Sequence, residues 1–294
     1  MKYSTGVLLV VAAGFIWSTQ GLIIRQIDST ATWAILFWRS AGTLPALFIA
    51  MSLASRGRPL DSLRKAGISG VVGGIGLVFA FAGSIYSMQA TTIANAVFLF
   101  SASPFFAAVL GWLILKERVR RATWAAIALA VVGMFVMVRE GLSAGALDGN
   151  IAALTSALGF ACFTIALRWH RLEDMLPAVF LGAVFSMIVA SIVQTAGGES
   201  LILSGHDIAV AMALGVVVVG MGLAMYTLGS KVIPAAELTL LSQIEVLMSP
   251  VWVFFFLDET ATPGTFLGGA ILTAAVVFNG ISGARSKARP TSQL

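Results

Sequence analysis

The stretch AELTLLSQIEVLMSPVWVFFFLDE (236–259) repeats an earlier part of the chain, ANAVFLFSASPFFAAVLGWLILKE (94–117), at a distance of 142 positions. Both stretches are predominantly apolar, and each carries a glutamate at its end, Glu117 in the first and Glu259 in the second. A fixed offset between such segments is the signature of an internal duplication. The same offset pairs further residues: Ala94 with Ala236, Leu115 with Leu257, and Gly73 with Gly215.

The composition indicates that lipid surrounds most of the chain. Of 294 residues, 59% are hydrophobic and 11% are charged, and the mean hydropathy is +0.96. About a quarter of the residues in a soluble domain are charged, so the charges here are too few to cover a water-facing surface. A helix needs about 20 predominantly apolar residues to span a bilayer. We therefore expect an all-α integral membrane protein.

Apolar runs bounded by charged or turn residues predict ten transmembrane helices. They lie near residues 5–25, 33–54, 67–89, 93–115, 122–138, 148–170, 177–195, 208–230, 235–257 and 264–283. A break is expected at Pro234, because a helix tends to stop before proline.

The basic residues predict the orientation of these spans. With the N-terminus in the cytoplasm, fifteen of the eighteen basic residues fall on the cytoplasmic side, as the positive-inside rule requires. Both termini are therefore expected to be cytoplasmic. Because the positive charge is spread over short loops, it does not indicate a nucleic-acid site. The fifteen are Lys2, Arg56, Arg58, Arg64, Lys65, Lys116, Arg118, Arg120, Arg121, Arg168, Arg171, Lys231, Arg285, Lys287 and Arg289.

The repeat divides the chain into two halves of five spans, residues 1–140 and 146–294. A shift of 145 extends the similarity to the first span of each half, where GFIWSTQG (14–21) lies over GFACFTIA (159–166). Five is an odd number, so the second half is expected to enter the membrane upside down. The alternative is that apolar helices resemble one another through composition alone.

Flanking charges favour the inversion. The first copy of the repeated stretch runs into the basic segment KERVRR (116–121), whereas the second runs into the acidic segment DETATP (258–263). Inverted halves can open a midplane site to one side of the membrane and then to the other, as in secondary transporters. We therefore predict two inverted five-helix repeats that work by alternating access.

Three ordered motifs resemble one group of transporters. They are GFIWSTQG (14–21), WRS (38–40) and ASPFFAAVLGWLILKER (102–118). Together with ten spans and a duplication, they resemble the drug/metabolite transporter superfamily and, within it, the EamA-type exporters. The sequence looks most like the YddG-type exporters, which are associated with aromatic amino acids.

This resemblance implies a secondary exporter of amino acids, in a bacterial-type inner membrane, with a central cavity between the halves. The implied partners are a small-molecule substrate and membrane lipid, without nucleic acid or an obligate protein partner. An exporter of drugs or other small metabolites is the alternative. One departure concerns prolines: Val246 stands where the first copy has Pro104, and the second copy carries Pro250 instead. We therefore expect the two copies to kink at different depths.

The sequence offers little support for an integral membrane enzyme, the alternative from another functional class. His170 and His206 lie in separate polar segments, and the single cysteine, Cys162, cannot form an intrachain disulfide. No spacing fits a metal site, and no GxxxxGK[ST] nucleotide motif is present. We expect no metal and no cofactor.

Glu245 is the first candidate for substrate binding. It lies about ten residues into the ninth span, near the bilayer centre, where a lipid-facing charge is costly. Ser242, Glu245 and Ser249 form one polar stripe on the helix, and such a stripe is expected to face a partner helix or a wet cavity. Glu245 would bind a substrate ammonium group or take up a proton. The alternative is a structural glutamate between helices.

Besides Glu245 and Ser242, five further residues are substrate-binding candidates, and four of them have a structural alternative. Trp17 and Gln20 share a face of the first span, which suits a ligand with a ring and a polar head, but packing explains them too. Arg39 either extends to the headgroups or reaches the cavity and attracts a carboxylate. Asn95 either binds substrate or forms interhelical hydrogen bonds. Phe79 lies deep in the third span.

Glycines in the third and eighth spans predict close helix packing. The pattern GVVGGIGLVFAFAG (70–83) does not follow a strand, so it is not a phosphate-binding loop. Small residues at this spacing let helix backbones approach closely in membranes. The same role is expected of Gly215, Gly222 and Gly229 in the eighth span.

Overall fold

The computed structural model describes residues 1–143, 146–170, 174–233 and 235–287. The features expected at Arg171, Pro234 and Arg289 lie outside these residues. Within the described ranges all regular structure is helical. Nine helices there are long and apolar enough to cross a membrane, and a shorter apolar helix covers Leu241–Leu257. The prediction of an all-helical membrane protein with about ten spans is confirmed at this level.

The helices follow one another with short connections, as the predicted spans require. In chain order they are α1 (Tyr3–Ser18), α2 (Gln20–Ile24), α3 (Thr32–Ala54), α4 (Pro59–Ala90), α5 (Ile93–Phe100), α6 (Ser103–Ile114), α7 (Arg121–Ser143), α8 (Leu147–Trp169), α9 (Leu176–Ala196), α10 (Gly205–Leu214), a π-helix (Gly215–Met221), α11 (Gly222–Ser230), α12 (Ala235–Leu257) and α13 (Pro263–Lys287).

Three predicted spans are interrupted inside the membrane. The first breaks at Thr19, whose hydroxyl donates to the carbonyl of Ile16 at 2.7 Å. The fourth breaks just before α6, where Pro104 occupies the first turn and its missing N–H costs nothing. The eighth contains the π-helix, while α12 continues through Pro250. The two repeated stretches therefore differ at their prolines, as the sequence predicts.

The third span begins with an elbow at Gly67. Helix α4 starts at Pro59, eight residues before the predicted start, but the chain turns at Gly67, where φ is 52° and ψ is −146°. Glycine adopts this backbone conformation without the steric cost that a Cβ imposes. The transmembrane part of α4 thus begins where the sequence predicts it, and Pro59–Ala66 forms a separate helical segment before it.

Close packing holds the spans together where glycines face each other. Helix α4 packs along α8 and α9, α3 along α9, α1 along α11 and α12, and α7 along α13. A methyl group on Gly76 would lie 2.8 Å from the carbonyl oxygen of Gly159, and one on Gly159 would lie 2.6 Å from that of Gly76. Space for a side chain is therefore absent, which confirms the predicted role of the glycines in the third span.

Gly215 is the tightest such position near the centre of the fold, and we predict that Gly215→Ala destabilises the protein. Its added methyl group would overlap the carbonyl oxygen of Arg39 and press on Thr43. Backbone atoms cannot move aside easily, so we expect a loss of about 1–3 kcal/mol of unfolding free energy, typical of overpacking. Thermal unfolding in detergent measures it. Gly205→Ala is the matched control, because a methyl group there meets no atom within 4 Å, and an equal loss in both variants would contradict the argument.

Candidate functional site

The break in the first span places Trp17 and Gln20 on either side of Thr19. The indole Nε1 of Trp17 donates to the carbonyl of Val218 in the π-helix at 3.0 Å. Its ring also packs against Tyr226, with 5.2 Å between the ring centroids. Trp17 is thus held between the π-helix and α11, with its orientation fixed by one hydrogen bond and one aromatic contact.

Gln20 connects the first span to α4. Its side-chain Nε2 donates to the hydroxyl of Ser84 at 2.9 Å and lies 3.5 Å from the sulfur of Met88. Ser84 is three residues from Phe81, so both lie on one side of α4. Gln20 therefore reaches the part of α4 that also contacts Arg39.

Arg39 is buried in the membrane part of the protein, with 2% of its surface exposed. Its guanidinium carbon lies 4.3 Å from the centre of the Phe81 ring. Nε is buried without a hydrogen-bond partner, and no carboxylate of the described chain forms an ion pair with the guanidinium. Arg39 therefore does not extend to the headgroups. It is an inward-facing cation, and its attraction to the aromatic ring compensates for part of the hydration energy that burial removes.

Glu245 is partly buried at a similar depth to Trp17. Helix α12 runs alongside α1, where a methyl group on Gly14 would lie 3.4 Å from Ile244. One turn further, Ser249 donates to the carbonyl of Ser18 at 2.9 Å. Among the residues that the structure describes, none forms a hydrogen bond or ion pair with the Glu245 carboxylate. Ser242, one turn before Glu245, is also partly buried.

The polar stripe on α12 therefore has two functions along its length. Ser249 is 1% exposed and joins α12 to α1, where the indole of Trp252 also donates to the Ser18 hydroxyl at 2.8 Å. This end is structural. The other end, with Ser242 and Glu245, stays partly accessible, so a carboxylate is available there to a ligand.

Asn95 lies in a structural network rather than beside Arg39. Its side-chain nitrogen donates to Thr91 at 3.1 Å and to the side-chain oxygen of Asn150 on α8. Its side-chain oxygen accepts a hydrogen bond from Thr265 on α13 at 3.5 Å. Asn95 thus joins three spans, which favours the interhelical alternative.

We predict that Asn95→Ala weakens the fold and leaves substrate affinity unchanged. The substitution removes bonds to two neighbouring spans, and each such bond in a membrane protein contributes about 0.6–1.7 kcal/mol. The unfolding free energy and the apparent KM for transport measure the two effects. Thr155→Ala is the control, because the exposed Thr155 bonds only within its own helix. A raised KM with unchanged stability would contradict this assignment.

Phe79 is separate from the other candidates. It is 57% exposed and lines a groove of about 900 Å³ between α4, α8 and α9. Tyr86, Trp33 and Ile188 line the same groove. Gln20 and Arg39 therefore contact the same side of α4, and Trp17 lies three residues before Gln20 on the first span. Phe79 and Asn95 lie elsewhere.

The profile of the EamA-like transporter family matches residues 4–139 and 147–281 of the chain. The chain belongs to the EamA-like transporter family. This match covers most of the sequence, and it indicates a transporter of small molecules and not an enzyme. The broader part of the resemblance noted in the sequence, to EamA-type transporters, is thereby confirmed.

Individual relatives agree with the EamA assignment. The chain is 30% identical over 170 residues to the pseudopaline exporter CntI of Pseudomonas aeruginosa, and the match covers 56% of this chain and 57% of that exporter. It is 23% identical to the uncharacterized transporter YwfM of Bacillus subtilis, over 92% of each chain. A crystal structure of a protein with 20% identity has a TM-score of 0.65, covering 97% of this chain and 100% of that chain, which shows a shared fold.

Several residues around this EamA-family site were missed by sequence reasoning. Phe81 contacts the Arg39 guanidinium, and Ser84 accepts a hydrogen bond from Gln20. An apolar residue and a small polar residue within a span give no sequence signal of such a role. Tyr226 lies toward the end of the eighth span, where tyrosines commonly anchor at the membrane interface, but here it packs against Trp17. Val218 takes part through its carbonyl, which no side-chain pattern reports.

Proposed function

We propose that this EamA-family transporter exports amino acids, aromatic ones among them, across the bacterial inner membrane. The observation that carries the proposal is the buried Arg39, which has no carboxylate partner among the residues that the structure describes. A buried cation is costly unless something compensates it, and an amino acid supplies a carboxylate that can accept two hydrogen bonds from a guanidinium. The substrate carboxylate would bind Arg39 during transport.

The remaining groups of the site fit the rest of an amino acid. The Glu245 carboxylate has no hydrogen-bond or ion-pair partner among the described residues, so it offers an anion for the ammonium group. Ser242 lies one turn away on the same face. Trp17 and Tyr226 provide an aromatic surface, on which a ring stacks favourably. Gln20, three residues after Trp17 on the first span, adds a polar side chain.

Alternating access between two inverted halves is the mechanism we propose. The packing pattern supports it: exchanging the halves maps the contact of α1 with α11 onto that of α8 with α4. The contacts of α3 with α9 and of α7 with α13 map onto themselves. Interruptions in the first and eighth spans flank the site, and discontinuous helices form the binding sites of many transporters. The basic loops support cytoplasmic termini.

Release from proteoliposomes tests the function. Vesicles containing the purified protein are loaded with labelled aromatic, aliphatic and charged amino acids, and release is compared with that from empty vesicles. We expect saturable release that is fastest for neutral amino acids with large side chains. Absence of saturable release for every amino acid would refute the proposal.

An exporter of another small metabolite is the second candidate. The 30% identity to the pseudopaline exporters favours it, although the aligned part covers little more than half of those proteins. The same vesicles loaded with labelled metabolites that lack an amino group distinguish the two candidates. Faster release of these compounds than of amino acids would favour the second.

A further inference from the structure

Among the residues that the structure describes, two ion pairs link the halves of the chain, and they lie at opposite ends of the spans. The first joins Arg25, at the end of α2, to Glu259, just after α12. Arg25 donates from Nε at 3.2 Å and from Nη2 at 3.0 Å to one carboxylate oxygen of Glu259. The same Nη2 also donates to the carbonyl of Thr91 at 3.0 Å. The other oxygen of Glu259 accepts a hydrogen bond from the Ile93 N–H at 2.6 Å.

The second ion pair joins Glu117, just after α6, to Arg168 in the last turn of α8. The Arg168 Nη2 lies 2.5 Å from a carboxylate oxygen of Glu117. Arg25 follows the first span and Arg168 ends the sixth. Five consecutive crossings separate these two positions, so they lie at opposite faces of the membrane.

The two ion pairs occupy corresponding places at the ends of the repeated spans, although the arginines are two positions out of the 145-residue register of the first spans. Glu117 and Glu259 differ by 142 positions, and Arg25 and Arg168 by 143. In each pair an arginine from one half binds a glutamate from the other half. Each pair therefore bridges the halves, once at each face.

The backbone beside each glutamate repeats the same turn. Lys116 and Asp258, which precede the two glutamates, have φ values of 56° and 52°, a region that side-chain-bearing residues rarely adopt. The N–H of Glu117 donates to the carbonyl six residues earlier at 3.2 Å, and so does that of Glu259. This hydrogen bond closes a turn one residue wider than the 6→1 bond of a Schellman motif. The same local structure thus presents both glutamates to their arginines.

We propose that these ion pairs are the two gates of the transporter, with Arg25–Glu259 closing the outer face and Glu117–Arg168 closing the inner face. The inference rests on the proposed alternating access, because a site between two halves opens to one face only when the contact at that face breaks. Duplication of one ancestral turn would then have placed one gate at each face of the membrane.

The two gates differ in strength. At the Arg25–Glu259 pair the side chains are 29% and 18% exposed, whereas at the Arg168–Glu117 pair they are 47% and 39% exposed. Exposed ion pairs contribute less than shielded ones, because water screens them. The outer gate also has additional hydrogen bonds to Thr91 and Ile93. We therefore expect the inner gate to open more readily in the absence of substrate.

Distance measurements between spin labels test the gates. Cys162 is the single cysteine, so Cys162→Ala gives a background in which pairs of cysteines can be placed at will. Labels at Thr30 and Thr260 report on the outer face, and labels at Arg118 and Trp169 report on the inner face; all four positions are exposed. Electron–electron distances are recorded without substrate, so they test the gates whichever cargo is transported.

We expect Glu259→Gln to shift the outer label pair toward longer distances and to raise its open-to-closed ratio roughly tenfold, as loss of a charged hydrogen bond implies. Glu117→Gln should shift only the inner pair. Asp258→Asn, beside Glu259, is the control and should change neither. The charge swap Arg25→Glu with Glu259→Arg should restore the closed outer distance. Unchanged distances in both glutamine variants, or a shift at the wrong face, would overturn the proposal.

Discussion

Replacing Arg39 by methionine is expected to abolish efficient transport without destabilising the protein. The substitution removes the buried cation that we propose as the partner of the substrate carboxylate. A hydrogen bond to a charged group contributes about 1.5–3 kcal/mol, so substrate affinity should fall about ten- to a hundredfold. Stability should stay equal or rise, because a buried charge without a counter-ion is costly and an apolar side chain of similar size is not.

Two measurements on Arg39→Met separate binding from folding. The apparent KM in proteoliposomes reports the first and the melting temperature in detergent reports the second. Arg139→Met, which changes an exposed arginine on α7, is the control and should leave transport unchanged. Arg39→Lys should give an intermediate KM, because an ammonium group keeps the charge but loses the paired donors of the guanidinium. A large fall in melting temperature for Arg39→Met would mean that Arg39 is structural.

Glu245→Gln is expected to weaken transport of substrates that carry a free ammonium group. The amide keeps the size and the hydrogen-bonding capacity but removes the negative charge that attracts the ammonium. We expect about a tenfold rise in KM for an amino acid and no change for its N-acetyl derivative, which lacks the positive charge. Asp28→Asn, on an exposed loop residue, is the control.

The two variants together locate each end of the substrate. Arg39→Met should abolish discrimination between an amino acid and its C-terminal amide, whereas Glu245→Gln should abolish discrimination against the N-acetyl compound. If both variants lose the same discrimination, the two residues do not bind opposite ends of one molecule. The Glu245 side chain would then have a structural or proton-binding role.

Much of the fold could be predicted from the sequence because lipid imposes a simple rule. Every spanning segment must satisfy its own backbone hydrogen bonds, so long apolar runs become helices with little dependence on their neighbours. The elbow at Gly67 coincides with the predicted start of a span, and the break before Pro104 follows from proline's missing N–H. Local chemistry suffices at both positions.

The irregular eighth span could not be predicted in this way. The sequence GVVVVGM (215–221) contains no proline and no polar group that would signal a π-helix. Its form depends on neighbours distant in sequence, through the contact of Gly215 with Arg39 and the bond from Trp17 to Val218. Such contacts are fixed only when the spans assemble.

The candidate site was only partly predictable for the same reason. The inward position of Arg39 depends on Phe81, which lies on another span. The partner of Asn95 on α8, Asn150, is more than fifty positions away. The sequence could therefore suggest that Asn95 forms interhelical hydrogen bonds, but it could not identify Asn150 as the partner. Helical periodicity alone did not distinguish the groove-facing side of α4, which carries Phe79, from the sides that pack against other helices.

The π-helix makes this protein sensitive to a single-residue deletion in a way that no substitution reproduces. A wide turn accommodates one residue more than an α-helical turn, so deleting a single valine there would rotate everything after it by about 100°. Met212, before the turn, would keep its place against Gly42, but Tyr226 would swing away from Trp17. A one-residue deletion in the π-helix would therefore remove Tyr226 from the aromatic surface of the proposed site. We expect such a deletion to change which substrates the protein prefers.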